Sequence, residues 1–199
     1  MRRFLLPFAL GLALPCALMR AEPSTGEAAV VGVQFSLAQP PNAAASNPWH
    51  ETTVILEARP GADDPGRMLS RVRVSLLIGC EIATANKRTE YYRAQGELVA
   101  LAPGRAEVRF YLPPEIVRRD SVRGEPRFWV AEVSVAGRSS QSHERVSASL
   151  TRAAVRQAFN DAIAREAARN DGILVAQPFT PFAWDHPAGS PTFVRSNAK

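Results

Sequence analysis

The amino-acid sequence predicts a mainly β protein, an antiparallel two-sheet sandwich that ends in one α-helix and an extended tail of prolines and aromatics. Apolar residues recur at every second position between residues 30 and 150, turn residues punctuate those runs, and a helical period takes over only after residue 150. Seven or eight short strands with no helices between them argue against an α/β sheet. A partly open barrel is the other arrangement such strands could form, and the sandwich is favoured.

The chain begins Met1-Arg2-Arg3, continues with an apolar run over residues 4–18, and reaches Ala21 just before the polar stretch Glu22-Pro23-Ser24. A cationic head, a short apolar segment and a small residue at its end are the pattern of a secretory signal, with cleavage expected after Ala21. A retained anchor would need about 20 apolar residues, and Pro7 and Pro15 interrupt this run. Cys16 could be lipidated, but Pro15 stands where that processing wants a small residue. The expected protein is therefore exported, to the periplasm or the outer surface, with no membrane span in its mature form.

Loss of Arg2, Arg3 and Arg20 lowers the formal charge from +5 to +2, so the basicity belongs largely to the leader and is no nucleic-acid footprint. Cys80 is then the one cysteine left, which excludes an intramolecular disulfide. What remains is expected to be one domain over residues 22–150, a helix packed on it over 151–172, and a tail over 173–199.

In order along the chain, Val31, Val33, Phe35 and Leu37 are expected to share one face of the first strand, and Val54, Leu56 and Ala58 one face of the second. Over residues 71–82 the alternation is clearest: Val72, Val74, Leu76, Ile78, Cys80 and Ile82 oppose Arg71, Arg73, Ser75 and Glu81. Residues 89–93 and 97–101 read as two weaker strands parted by Gly96. The turn Ala102-Pro103-Gly104 then reads as a hairpin into a strand carrying Ala106, Val108, Phe110 and Leu112. Pro114 opens a helical turn crossing between sheets, with Glu115 in its first turn and Arg118 and Arg119 in its last. Trp129, Ala131, Val133 and Val135 form the next inward face, and Val146, Ala148 and Leu150 a final strand.

Over residues 151–170 Val155, Phe159, Ile163 and Ala167 repeat at helical spacing, with Ala158 and Ala162 alongside and Gly172 as the C-terminal stop. The tail interleaves Pro178, Pro181, Pro187 and Pro191 with Phe179, Phe182, Trp184 and Phe193. Aromatics on a stiff, extended segment should lie against something, either this domain or a partner. These four aromatics are the candidate partner-binding residues. Deleting residues 176–199 is expected to weaken partner binding while the domain still folds.

No chemistry stands out beside them. The histidines His50, His143 and His186 are isolated, no serine sits in a Gly-x-Ser-x-Gly turn, and no His-Glu-x-x-His, cysteine pair or calcium-loop spacing occurs. Asp63-Asp64-Pro65-Gly66 reads as a turn. Cys80 lies in phase with the core and should be a buried, inert thiol. No catalytic, cofactor or metal residues are assigned, and no cofactor is expected.

Phe110-Tyr111-Leu112-Pro113-Pro114-Glu115-Ile116-Val117-Arg118-Arg119-Asp120, followed by Asn170-Asp171-Gly172-Ile173-Leu174 and the aromatic-proline tail, resembles a family of small secreted proteins encoded with pilus-like assembly genes in mucin-dwelling and related Verrucomicrobia. The resemblance spans most of the mature chain, though it rests on short motifs. It implies an immunoglobulin-like β-sandwich and an envelope or surface protein working in assembly, adhesion or contact, with no catalytic residues to carry over. A pilin polymerises through a retained apolar N-terminal helix, and this chain is expected to discard its apolar segment, so a major pilus subunit is not expected.

The expected function is a non-catalytic envelope module binding protein partners, accessory to a pilus-like or secretion assembly. Two alternatives stay open. One is a periplasmic hydrolase or carbohydrate-binding protein whose site forms only in the fold, for example around His50 or Glu90. The other is a chaperone-like module that lends a sheet edge to a client.

Overall fold

The computed structural model describes residues 26–41, 47–62, 64–82, 88–135, 138–185, 187 and 189–194. The expected signal peptide, Cys16, Asp63 and His186 lie outside them.

Two antiparallel sheets face each other. One contains β1 (Glu27–Ala38), β2 (Trp49–Arg59), β5 (Gly104–Leu112) and the short β8 (Val175–Ala176), in the order β1-β2-β5-β8. The other contains β3 (Leu69–Glu81), β4 (Thr89–Leu101), β6 (Phe128–Val135) and β7 (Arg138–Val146), in the order β4-β3-β6-β7. This is an immunoglobulin-like sandwich in which the fourth strand has joined the sheet of the third. Between the sheets lie Val54, Leu56, Val72, Leu76, Val108 and Phe110, all fully buried. Each such side chain contributes about 1.5–3 kcal/mol of apolar burial.

The helical turn α1 (Pro114–Arg119) carries the chain from β5 to β6, from one sheet to the other, as its proline and flanking charges predict. Helix α2 (Ala153–Glu166), extended by a 3₁₀ turn over Ala167–Asn170, covers the outer face of the second sheet. Phe159, Ile163 and Ala167 pack there with Val130 and Leu150, so β3 buries both faces where Leu77 meets the helix. Gly172, at φ +79°, takes the left-handed conformation that ends the helical segment.

Several expected details change. A bulge between Val30 and Gly32 inserts one residue into β1, and an inserted residue reverses which side chains face inward. Ala28 and Val30 are therefore buried ahead of the bulge and Val33 and Phe35 half-buried beyond it, while Val31 and Leu37 are exposed. Residues 89–101 form one strand through Gly96, not two. The turn at residues 102–104 makes no hairpin, because β4 and β5 belong to different sheets and Gly104 pairs with Ala58 on β2. Ala148–Leu150 is a 3₁₀ turn, not strand, and it drops Leu150 under the helix. Ala158 faces solvent.

Candidate functional site

After Gly172 the tail crosses the side of the sandwich bounded by β5 and β4. Val175 and Ala176 pair with Tyr111 and Phe110, the Glu107 amide donates to the Gly189 carbonyl at 2.9 Å, and the Val99 amide donates to the Thr192 carbonyl at 3.0 Å. Phe193 bridges Leu98 on the exposed side of β4. Its ring lies over Gly96, where a Cβ would come within 2.7 Å of Phe193 Cε1. Glycine inside a strand here makes room for a neighbouring ring.

Between these two contacts the tail is not extended. Residues 177–185 form a loop built on the buried Gln177 and Thr180. Gln177 Nε2 donates to the carbonyls of Phe182, at 3.1 Å, and of Asp185. Thr180 Oγ1 donates to the Gln177 carbonyl at 2.7 Å and accepts from the Phe182 amide at 3.1 Å. This internal bonding directs Phe182 onto the outer face of the first sheet. There it stacks on Tyr111 with centroids 4.4 Å apart and planes 7° from parallel, and meets Trp49 edge-on.

The four candidate aromatics therefore divide. Phe182 is buried and Phe193 half-buried against their own domain. Phe179 and Trp184 face solvent at 59% and 85% exposure. Large apolar side chains held outward on a hydrogen-bonded loop are the material of a protein-contact hot spot. Beside Phe179 lies a groove of about 360 Å³ lined by Arg93, Asp171, Leu174, Val175 and Ala176. At its rim Arg93 grips Asp171 through two bonds of 2.7 Å, which hold the Asp171 carboxyl below and the Arg93 guanidinium above their ordinary values.

Among the described residues His50 and Glu90 share no bonding partner. Glu90, buried, meets Arg88 at 2.8 Å, Arg169 at 3.5 Å and Asn170 Nδ2 at 3.1 Å, and so fastens the end of the helical segment to β4. His50 is fully buried at the start of β2, stacked near Phe35, with Nε2 2.9 Å from the Gly124 carbonyl. A ring nitrogen facing a carbonyl must carry the proton, so Nδ1 is the bare acceptor. Neither it nor the buried Thr52 hydroxyl has a hydrogen-bond partner among the described residues.

Burial lowers the His50 pKa, against the opposing pull of the Gly124 carbonyl and the Glu51 charge. The folded imidazole therefore stays neutral where the unfolded one, titrating near 6.5, takes up a proton. Stability should fall as pH drops below about 6.5, by up to about 1.4 kcal/mol per pH unit. Urea midpoints measured between pH 7.5 and 5.5 should show this slope in the native protein and lose it in His50→Leu.

Cys80 is buried, and desolvation with the nearby Asp120 charge pushes its thiol up to about 12. Among the described residues no cluster of three or more His, Cys, Asp or Glu side chains could hold a metal ion, and no helix is long and apolar enough to cross a membrane.

Neither protein-family models nor curated proteins give a match to the chain. Among solved structures, the crystal structure of a protein from Akkermansia muciniphila, a Verrucomicrobium, is similar with a TM-score of 0.66. The two chains are 14% identical, and the match covers 88% of this chain and 100% of the other. At that identity the likeness is one of fold, and it reaches beyond the sandwich to nearly the whole chain.

Proposed function

We propose that this chain is a non-catalytic, exported protein of the cell envelope that works as an interaction module, accessory to a pilus-like or secretion assembly. The observation that carries the reading is the loop over residues 177–185. It places Phe182 on its own domain and holds Phe179 and Trp184 away from it. A loop that serves only to strap the sandwich gains nothing from a tryptophan turned to solvent. The secretory pattern of residues 1–21 supports the compartment, and the likeness to a solved structure supports the sandwich fold that carries the loop.

Crosslinking in the native envelope, followed by identification of what co-purifies, tests the proposal. Trp184→Ala combined with Phe179→Ala should weaken the captured complex by roughly 30-fold, the scale of an aromatic hot spot of about 2 kcal/mol. Folding stability should stay within about 0.5 kcal/mol of the native protein, as for other exposed positions. Undiminished capture of the same neighbour by the double variant overturns the assignment of these two residues.

A further inference from the structure

The tail closes one side of the sandwich by laying extended chain along β5 and β4. The opposite side is bounded by β1 and β7 and is guarded over only part of its length. Ahead of the β1 bulge, Arg145 Nε from β7 donates to the Val30 carbonyl at 3.2 Å, and His143 lies 3.8 Å from Glu27. Beyond the bulge, β1 runs in regular register with β2 from the Gly32↔Ile55 pair to the Ala38↔Trp49 pair. Among the described residues nothing bonds the outer main chain of residues 32–38. A strand paired on one side presents alternate N–H and C=O groups on the other.

A groove of about 460 Å³ follows this stretch, lined by Val33, Gln34, Phe35, Ser36, Glu51 and Glu125 among others, none of them cationic. Glu51 sits on the solvent face of β2, where Thr53 Oγ1 and Tyr111 Oη donate to it at 3.1 and 2.8 Å and Arg109, shared with Glu107, lies 3.7 Å away. Glu125 accepts from Trp129 Nε1 at 2.7 Å. The open edge thus has one carboxylate on the solvent face of its sheet and another beside Trp129, whose ring lies 5.6 Å from that of Phe35.

We infer that residues 32–38 of β1 are a strand-addition site for an extended segment of a partner protein carrying neighbouring Lys or Arg residues. Main-chain bonding supplies the affinity of such a mode, and alternate side chains supply its specificity. Successive side chains of the added strand point to opposite faces, so adjacent basic residues meet Glu51 and Glu125 in turn. A second copy of this chain fits poorly, because its own edge, Gly32-Val33-Gln34-Phe35-Ser36-Leu37-Ala38, carries no Lys or Arg to meet Glu51 and Glu125. The site is independent of the tail aromatics.

The test uses the whole chain and the peptide Ac-Val-Lys-Arg-Val-Lys-Arg-Val-NH2. Controls are the same peptide with Glu at every basic position, and a version N-methylated on alternate amides. The basic peptide should slow amide exchange at residues 32–38 by at least tenfold, and both controls should fail to do so. Glu51→Gln with Glu125→Gln should weaken binding at least tenfold, while Phe179→Ala with Trp184→Ala leaves it unchanged. The inference is overturned by an absence of protection at residues 32–38, by equal binding of the acidic or N-methylated peptide, or by a concentration-dependent dimer that protects the same amides. The peptide controls keep the outcome decisive even if the double Gln variant misfolds.

Discussion

Asp120→Ala should cost the domain about 3 kcal/mol, read as a fall in urea midpoint with unchanged slope. Asp120 is almost wholly buried at the end of α1 and accepts from three donors. Tyr92 Oη reaches its Oδ2 from β4, Arg119 Nε its Oδ1 at 2.6 Å, and Arg119 Nη2 its Oδ2 at 3.0 Å, while Nη2 also donates to Tyr92 Oη at 2.8 Å. Burial and the adjoining carboxylate push the Tyr92 hydroxyl well above its ordinary range, so it remains a donor throughout. Removing the acceptor strands a hydroxyl in the core, which costs about 1–3 kcal/mol, and hydrogen bonds to a charged group add about 1.5–3 kcal/mol. Arg119 is half exposed and regains water, which returns part of this.

A ranking follows from the same geometry. Tyr92→Phe keeps the ring and leaves the carboxylate on Arg119, so it should cost about 1 kcal/mol. Arg119→Ala leaves the buried carboxylate with Tyr92 as its one remaining partner in the triad and should fall between the two. If Asp120→Ala costs no more than Tyr92→Phe, the triad does not join α1 to β4 as described.

The residues of this triad show how far the sequence could be read. Each has an ordinary local role: Tyr92 a strand position, Arg119 and Asp120 the end of a helical turn. Their junction depends on two segments 28 residues apart meeting between sheets. Where structure follows from a local period it was legible. The alternation over residues 71–82 places Val72, Val74, Leu76, Ile78 and Cys80 in the core because no bulge interrupts it. In β1 the odd-numbered phase holds beyond the bulge, where Val33 and Phe35 pack on the core, and fails ahead of it, where Ala28 and Val30 are the buried pair and Val31 is exposed. One inserted residue switches the face and leaves no compositional mark. The turn Ala102-Pro103-Gly104 has the same chemistry whether the chain returns within a sheet or crosses to the other one.

The tail was legible in kind but not in detail. Proline and aromatic composition says that such a segment packs, and Phe193 does so through a glycine that the strand pattern alone would count as a break. Nothing local separates Phe182 from Trp184, two residues apart in the same composition, yet one is 3% exposed and the other 85%. Their fates are divided by the bonds of Gln177 and Thr180, polar residues that no motif singles out.

Phe182→Ala should therefore lower stability by about 3–4 kcal/mol, the range for deleting a buried ring, and should weaken partner capture without Phe182 touching the partner. The ring covers Tyr111, whose hydroxyl bonds Glu51 at 2.8 Å, so its loss opens a cavity over a polar network and also frees the loop that carries Trp184. Phe182→Leu refills much of that volume and should restore most of both losses. A contact residue behaves differently: Trp184→Ala should lower capture at unchanged stability, and no refilling of the core can rescue it. Removal of the tail from residue 176 onward would combine these effects with the unpairing of β5 and β4. That exposes two sheet edges and the buried Tyr111 at once, and open edges invite aggregation. The truncated chain should accordingly be recovered in poor yield and as aggregate, contrary to the expectation that the domain folds without its tail. A monomeric truncation with native-like urea stability would show that Phe182 and Phe193 contribute little to the fold and would return all four aromatics to the surface available for binding.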